Sequence, residues 1–234
     1  MLTELRRRLR TFAKSERATH SVTFFKTGPG QYGEGDKFLG LTVPMMRLVV
    51  REFRELALTD AGALLASPWH EDRLVALMIL VEQYRRTPAA RAAIFRLYLG
   101  HTNRINNWDL VDVSAANVVG AHHEERSRKP LYRLAKSKSL WERRIAIVAT
   151  LHFIRRNQFE DTLAISKILL DDKQDLIHKA CGWMLREVGK RDETLLRGFL
   201  DEHAPTMPRT MLRYAIERLP DRQRYLTLKS RRDE

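Results

Sequence analysis

The sequence predicts an all-α fold, specifically an α-solenoid of stacked helix pairs, and three observations predict it. Strict apolar–polar alternation is nearly absent, while apolar residues recur at helical spacing along the chain. The connections between these segments are short, with no long Pro- or Ser-rich linker, so the 234 residues read as one domain, 1–234, with a Gly-rich loop at 27–37. The long helical segments also return at a steady interval. Arg73, Trp108, Arg144, Lys179 and Arg213 stand at matched places near their helix starts, 35, 36, 35 and 34 positions apart. That is the period of helix-pair solenoids.

In chain order, each interval holds a shorter helix and a longer one. The spacing predicts helices over 44–56, 59–66 and 70–86, then 88–99 and 107–119, then 128–136 and 140–156. It continues with 159–170 and 173–190, then 192–203 and 208–219. In 107–119 the residues Trp108, Val111, Asp112, Ala115 and Val119 share one face. Asn107 is a good N-cap for the helix that starts at Trp108. Ser139-Leu140-Trp141-Glu142 is a capping-box pattern ahead of an apolar run.

Composition narrows the function classes. Apolar residues make up 44% and charged residues 30%, which excludes a mainly disordered chain. The longest apolar run, Leu74 to Val81, is far short of the ~20 residues of a spanning helix. The start, Met1-Leu2-Thr3-Glu4-Leu5-Arg6-Arg7-Arg8, has no signal-peptide core behind it. With one cysteine, Cys181, no disulfide framework is available, and the expected compartment is cytoplasmic. Lysine and arginine total 42 against 29 acids, a formal charge of +13. Such an excess attracts a polyanion, and nucleic acid is the leading candidate. The basic residues are spread along the chain, unlike the concentrated patch of a membrane-surface helix.

Four of the five aligned residues are basic, although the macrodipole disfavours a cation at a helix start by ~0.3–1 kcal/mol. An anionic ligand explains the repetition: Arg73, Arg144, Lys179 and Arg213 would form a stripe along a concave DNA-binding surface. Asp112 and Trp183 lie one turn beyond the aligned position, so the repeat points both into the same groove as Trp108. An acid there is either one half of a structural ion pair, for example with Arg144, or a carboxylate flanked by indoles for a cationic ligand. No His/Cys/Asp/Glu cluster has metal-ligand spacing, and His122-His123 reads as a surface pair, so no metal and no cofactor are expected. Ser114 and Thr150 lack a nucleophile's partners, and Cys181 reads as buried and inert. Gly28, Gly30 and Gly33 spell GxGxxG, but no strand precedes them and Pro29 blocks the usual turn. The loop reads as a connector, or as a flap over a partner with Tyr32 available to stack on a base.

Four segments carry a family resemblance: Phe38-Leu39-Gly40-Leu41-Thr42-Val43-Pro44, Asn107-Trp108-Asp109-Leu110-Val111-Asp112, Leu140 to Ala146 and Lys179 to Glu187. Together they resemble the AlkD-type DNA alkylation repair family over roughly residues 20–220. The resemblance implies HEAT-like helix pairs, a curved surface that holds duplex DNA, and excision of N3- and N7-alkylated purines. It places the catalytic carboxylate on Asp112, the indoles beside the lesion on Trp108 and Trp183, and a DNA-contacting arginine on Arg144. The expected partner is double-stranded DNA containing alkylated bases, bound by a monomer. A non-catalytic solenoid that binds branched or damaged DNA, and a protein-interaction scaffold, remain as alternatives.

Overall fold

A computed structural model describes residues 1–227, and no strand occurs among them. The helices pack as two compact units, Met1–Val118 and Val119 onward. In the first unit these are α1 (Leu2–Thr11), α2 (Ser15–Phe24), α3 (Val43–Glu52), α4 (Leu58–Leu65), α5 (His70–Arg86), α6 (Arg91–Leu99) and α7 (Trp108–Ala115). In the second they are α8 (Lys129–Ala135), α9 (Leu140–Ala149), α10 (Leu151–Ile154), α11 (Glu160–Ile168), α12 (Asp175–Gly189), α13 (Glu193–His203), α14 (Arg209–Ala215) and α15 (Arg222–Leu226). The all-α arrangement of short and long helices is consistent with an α-solenoid.

Each unit is organised around one long helix. α5 packs against α3, α4, α6 and α7, and buries Leu74, Val75, Leu77, Ile79 and Leu80. α12 packs against α9, α11, α13 and α14 around Ile177, Ala180, Cys181, Met184 and Leu185. Caps fix several starts. The Asn107 side chain accepts from the Trp108 amide, Ser139 from the Glu142 amide and Asp192 from the Leu195 amide.

Most differences from the sequence expectation have local causes. α1 and α2 were not anticipated: α2 has no fully buried residue, while α1 is a short amphipathic helix that buries Leu5 and Leu9 on one face. The helix expected over 107–119 is regular to Ala115 and then widens into a π turn at Ala116–Gly120. Gly120 itself lies against the Ala149 carbonyl, where a Cβ would collide. The helix expected over 140–156 breaks at Thr150, whose hydroxyl donates to the Ile147 carbonyl. Gly182 has a similar packing role. A Cβ there would stand 2.5 Å from the Met211 carbonyl oxygen, so glycine is what lets α12 and α14 approach.

Candidate nucleic-acid and catalytic site

The first unit holds Trp108 and Asp112. They stand one turn apart on α7, and both are half-buried. The negative charge of Asp112 reaches the interior of this unit. Burial first, and then Asp112, push the Tyr98 phenol up, against its hydrogen bond with Ser114 at 3.1 Å.

Trp108 is clamped by residues whose role the sequence did not reveal. The Phe25 ring stacks on it at 5.5 Å between centroids, and Phe24 meets it edge-on at 5.9 Å. Phe25 and Phe38 also pack on the His70 imidazole, each at 4.8 Å. His70 is 2% exposed and lies between two carboxylates. Nε2 is 2.8 Å from Asp109 and Nδ1 is 3.3 Å from Asp36. Burial opposes its charge, but the two acids, Asp109 foremost, push its pKa up to about 9. His70 is therefore an imidazolium at neutral pH, with both ring nitrogens donating. Burial would raise the Asp36 carboxyl, but His70 and Arg73 outweigh it and hold it below the ordinary range. Asn106 Nδ2 donates to the same carboxylate at 3.2 Å.

This network anchors the Gly-rich loop. Asp36 lies next to its last residue, the His70 amide donates to the Lys37 carbonyl at 2.8 Å, and Lys37 and Trp69 form an isolated bridge. Inside the loop, the Gly28 and Gly30 amides donate to Gln31 and Glu34, and Gly30 and Gly35 take φ of +72° and +82°. No strand precedes the loop and no helix starts within it, so GxGxxG has no dinucleotide-site geometry here. Tyr32 is half-buried in the loop. The neighbouring Phe38-Leu39-Gly40-Leu41 segment is held by Glu71, 3% exposed, whose carboxylate accepts the amides of Leu39, Gly40 and Leu41 at 2.8–3.2 Å. Gly40, at φ +79°, is pressed against Lys14 and Ala18 of the α2 start.

The expected basic stripe needs correction. Arg73 does not face a groove: it is 1% exposed, donates to Asp36 at 2.6 Å and to the Ser67 carbonyl at 3.0 Å. Its anion is supplied by the chain itself. In the second unit, Arg144 is 5% exposed and donates to the Leu176 carbonyl. Lys179 pairs with Asp175, one turn earlier, at 2.7 Å. Arg213 is exposed and makes no ion pair among the described residues. Trp183 is half-buried on α12, one turn beyond Lys179. Cys181 is buried, and burial pushes its thiol up, as an inert core position requires. No group of three metal-ligating side chains occurs among the described residues, and none of their helices is long and apolar enough to cross a membrane.

Comparison with known proteins adds a family. The family model described as "DNA alkylation repair enzyme" matches residues 5–219. Among solved structures, a "Predicted DNA alkylation repair enzyme from Enterococcus faecalis" is similar with a TM-score of 0.69 at 17% identity. The match covers 89% of this chain and 97% of that one, a likeness of fold. No curated protein matches the chain.

Proposed function

The chain belongs to the DNA alkylation repair enzyme family, and from that premise we propose that it is a DNA glycosylase excising cationic N3- and N7-alkylated purines from duplex DNA. The observation that carries the reading is on α7: a half-buried carboxylate, Asp112, one turn from an indole, Trp108, whose ring is fixed by Phe24 and Phe25.

Alkylation of a purine ring nitrogen already supplies the positive charge of a good leaving group, so no general acid is required. The bond between C1′ and N9 breaks with its electron pair going to the purine, which leaves as a neutral base. The deoxyribose becomes oxocarbenium-like, and the Asp112 carboxylate stabilises that charge. Water adds at C1′ and releases a proton to solvent. The indole face of Trp108 contributes cation–π attraction, and the family resemblance assigns the same role to Trp183.

The direct test is chromatography of bases released from methylated duplex DNA. Release of 7-methylguanine or 3-methyladenine is expected; duplex binding without release would leave a non-catalytic DNA-binding protein.

The corrected stripe yields a second prediction. Arg213→Gln should reduce the slope of log affinity against log salt by about 0.9 on duplex DNA. Arg73→Gln should leave the slope alone and lower the melting temperature, because it strips Asp36 of a buried partner. An unchanged slope for Arg213→Gln would remove that residue from the interface.

A further inference from the structure

The first unit has another feature that the reaction above does not use. A cleft of about 380 Å³ opens between α3, α5 and the end of α7. Its rim carries Arg47, Arg51 and Arg54 from α3 and the turn after it, and Arg85 and Arg86 from the end of α5. One acid, Glu82, faces them. Glu82 is engaged with Arg85 at 2.8 Å and Arg86 at 3.6 Å, and Arg54 reaches Glu55 at 3.6 Å. Arg47 and Arg51, one turn apart on α3, are exposed and make no ion pair among the described residues. The floor is apolar: Val50, Met78 and Val81, with Val113 from α7.

Guanidinium groups crowded around a single carboxylate repel one another, and an anion entering the cleft relieves that repulsion. Inorganic phosphate would use the rim and leave the floor wet. An apolar segment would use the floor and leave the arginines unmatched. The ligand that uses both has a phosphate at one end and a flat, weakly polar ring at the other. Guanidinium planes stack on such rings as well as binding phosphate.

We infer that this cleft binds one unpaired nucleotide of a DNA strand, its phosphate on Arg47 and Arg51 and its base on the floor of Val50, Met78, Val81 and Val113. The choice of DNA as the source rests on the proposed function; the nucleotide chemistry rests on the cleft. Val113 follows Asp112 directly in the chain, so a strand held here passes beside the helix that carries the carboxylate.

The experiment titrates the full chain with inorganic phosphate, deoxyadenosine monophosphate and a single-stranded pentanucleotide, followed by calorimetry or NMR. The mononucleotide is expected to bind at least tenfold more tightly than phosphate, and the pentanucleotide more tightly still. The double variant R47Q/R51Q should lose at least tenfold for the mononucleotide. Both side chains are exposed and make no ion pair among the described residues, so the variant retains its fold. Val81→Gln should weaken the mononucleotide and spare phosphate. Equal affinity for phosphate and mononucleotide, or an undiminished double variant, overturns the site. A pentanucleotide no better than the mononucleotide overturns DNA as its source. Base release is assayed separately: its absence with nucleotide binding intact would sink the glycosylase reading and leave this cleft standing.

Discussion

Asp112→Asn is expected to lower release of 7-methylguanine from methylated duplex DNA by roughly 100- to 1,000-fold, the usual cost of losing one preorganised electrostatic contact to a transition state. The amide matches the carboxylate in shape but not in charge, so it fills the same half-exposed position on α7 without opening a cavity. Melting temperature and affinity for undamaged duplex should therefore stay near the parent values. The effect belongs to the chemical step, and single-turnover measurement with excess enzyme isolates it. Trp108 remains held by Phe24 and Phe25 in the variant, so a loss cannot be assigned to a displaced indole. Release at the parent rate would mean that Asp112 is a structural acid, the alternative that the sequence also allows. The specific alternative is then a chain that binds damaged DNA without cutting the glycosidic bond.

Helices that bury a continuous face were legible in the sequence, and α5 and α12 appear where periodicity put them because each is the hub of its unit. α2, with no fully buried residue, was not; α1 was missed although it buries as many residues as α6 and α8, which the spacing does predict. The π turn after Ala115 and the break at Thr150 are set by neighbouring backbone and local hydroxyl bonding, which leave little mark in a hydrophobic pattern. The stripe misled at Arg73 for a related reason. A cation at a helix start does call for an anion, but at Arg73 the anion is Asp36, 37 residues upstream, and at Lys179 it is Asp175 on the preceding turn. A linear period locates helix faces; it does not show which charges the fold neutralises internally. Trp108 and Asp112 were readable from i,i+4 spacing and from the motif around them. The clamp of Phe24, Phe25, Phe38 and His70 comes from three separate stretches of chain; Phe38 lies in a segment that carries the family resemblance, but nothing local shows that the three stretches meet on Trp108 and His70.

The clamp supplies the largest stability effect. His70 has a folded-state pKa of about 9 against an ordinary value of 6.5. A pKa raised on folding contributes stability that is fully present below about pH 6.5 and disappears as the pH rises through 9. The difference corresponds to about 3 kcal/mol, and at 2% exposure water screens little of it. Urea unfolding of the parent chain should show this loss between pH 6.5 and 9.5. Asp36 acts at the other end of the scale: its lowered pKa gives stability that is lost only on strong acidification. His70→Leu removes the cation between Asp36 and Asp109 and leaves Arg73 as the buried counter-charge to Asp36. It should cost about 3–5 kcal/mol at pH 6.5. The gap between parent and variant should then narrow with rising pH, because the parent's own imidazolium is being lost. A gap that stays constant from pH 6.5 to 9.5 would mean that His70 acts as an aromatic filler between Phe25 and Phe38, and that its charge is not what holds the start of α7.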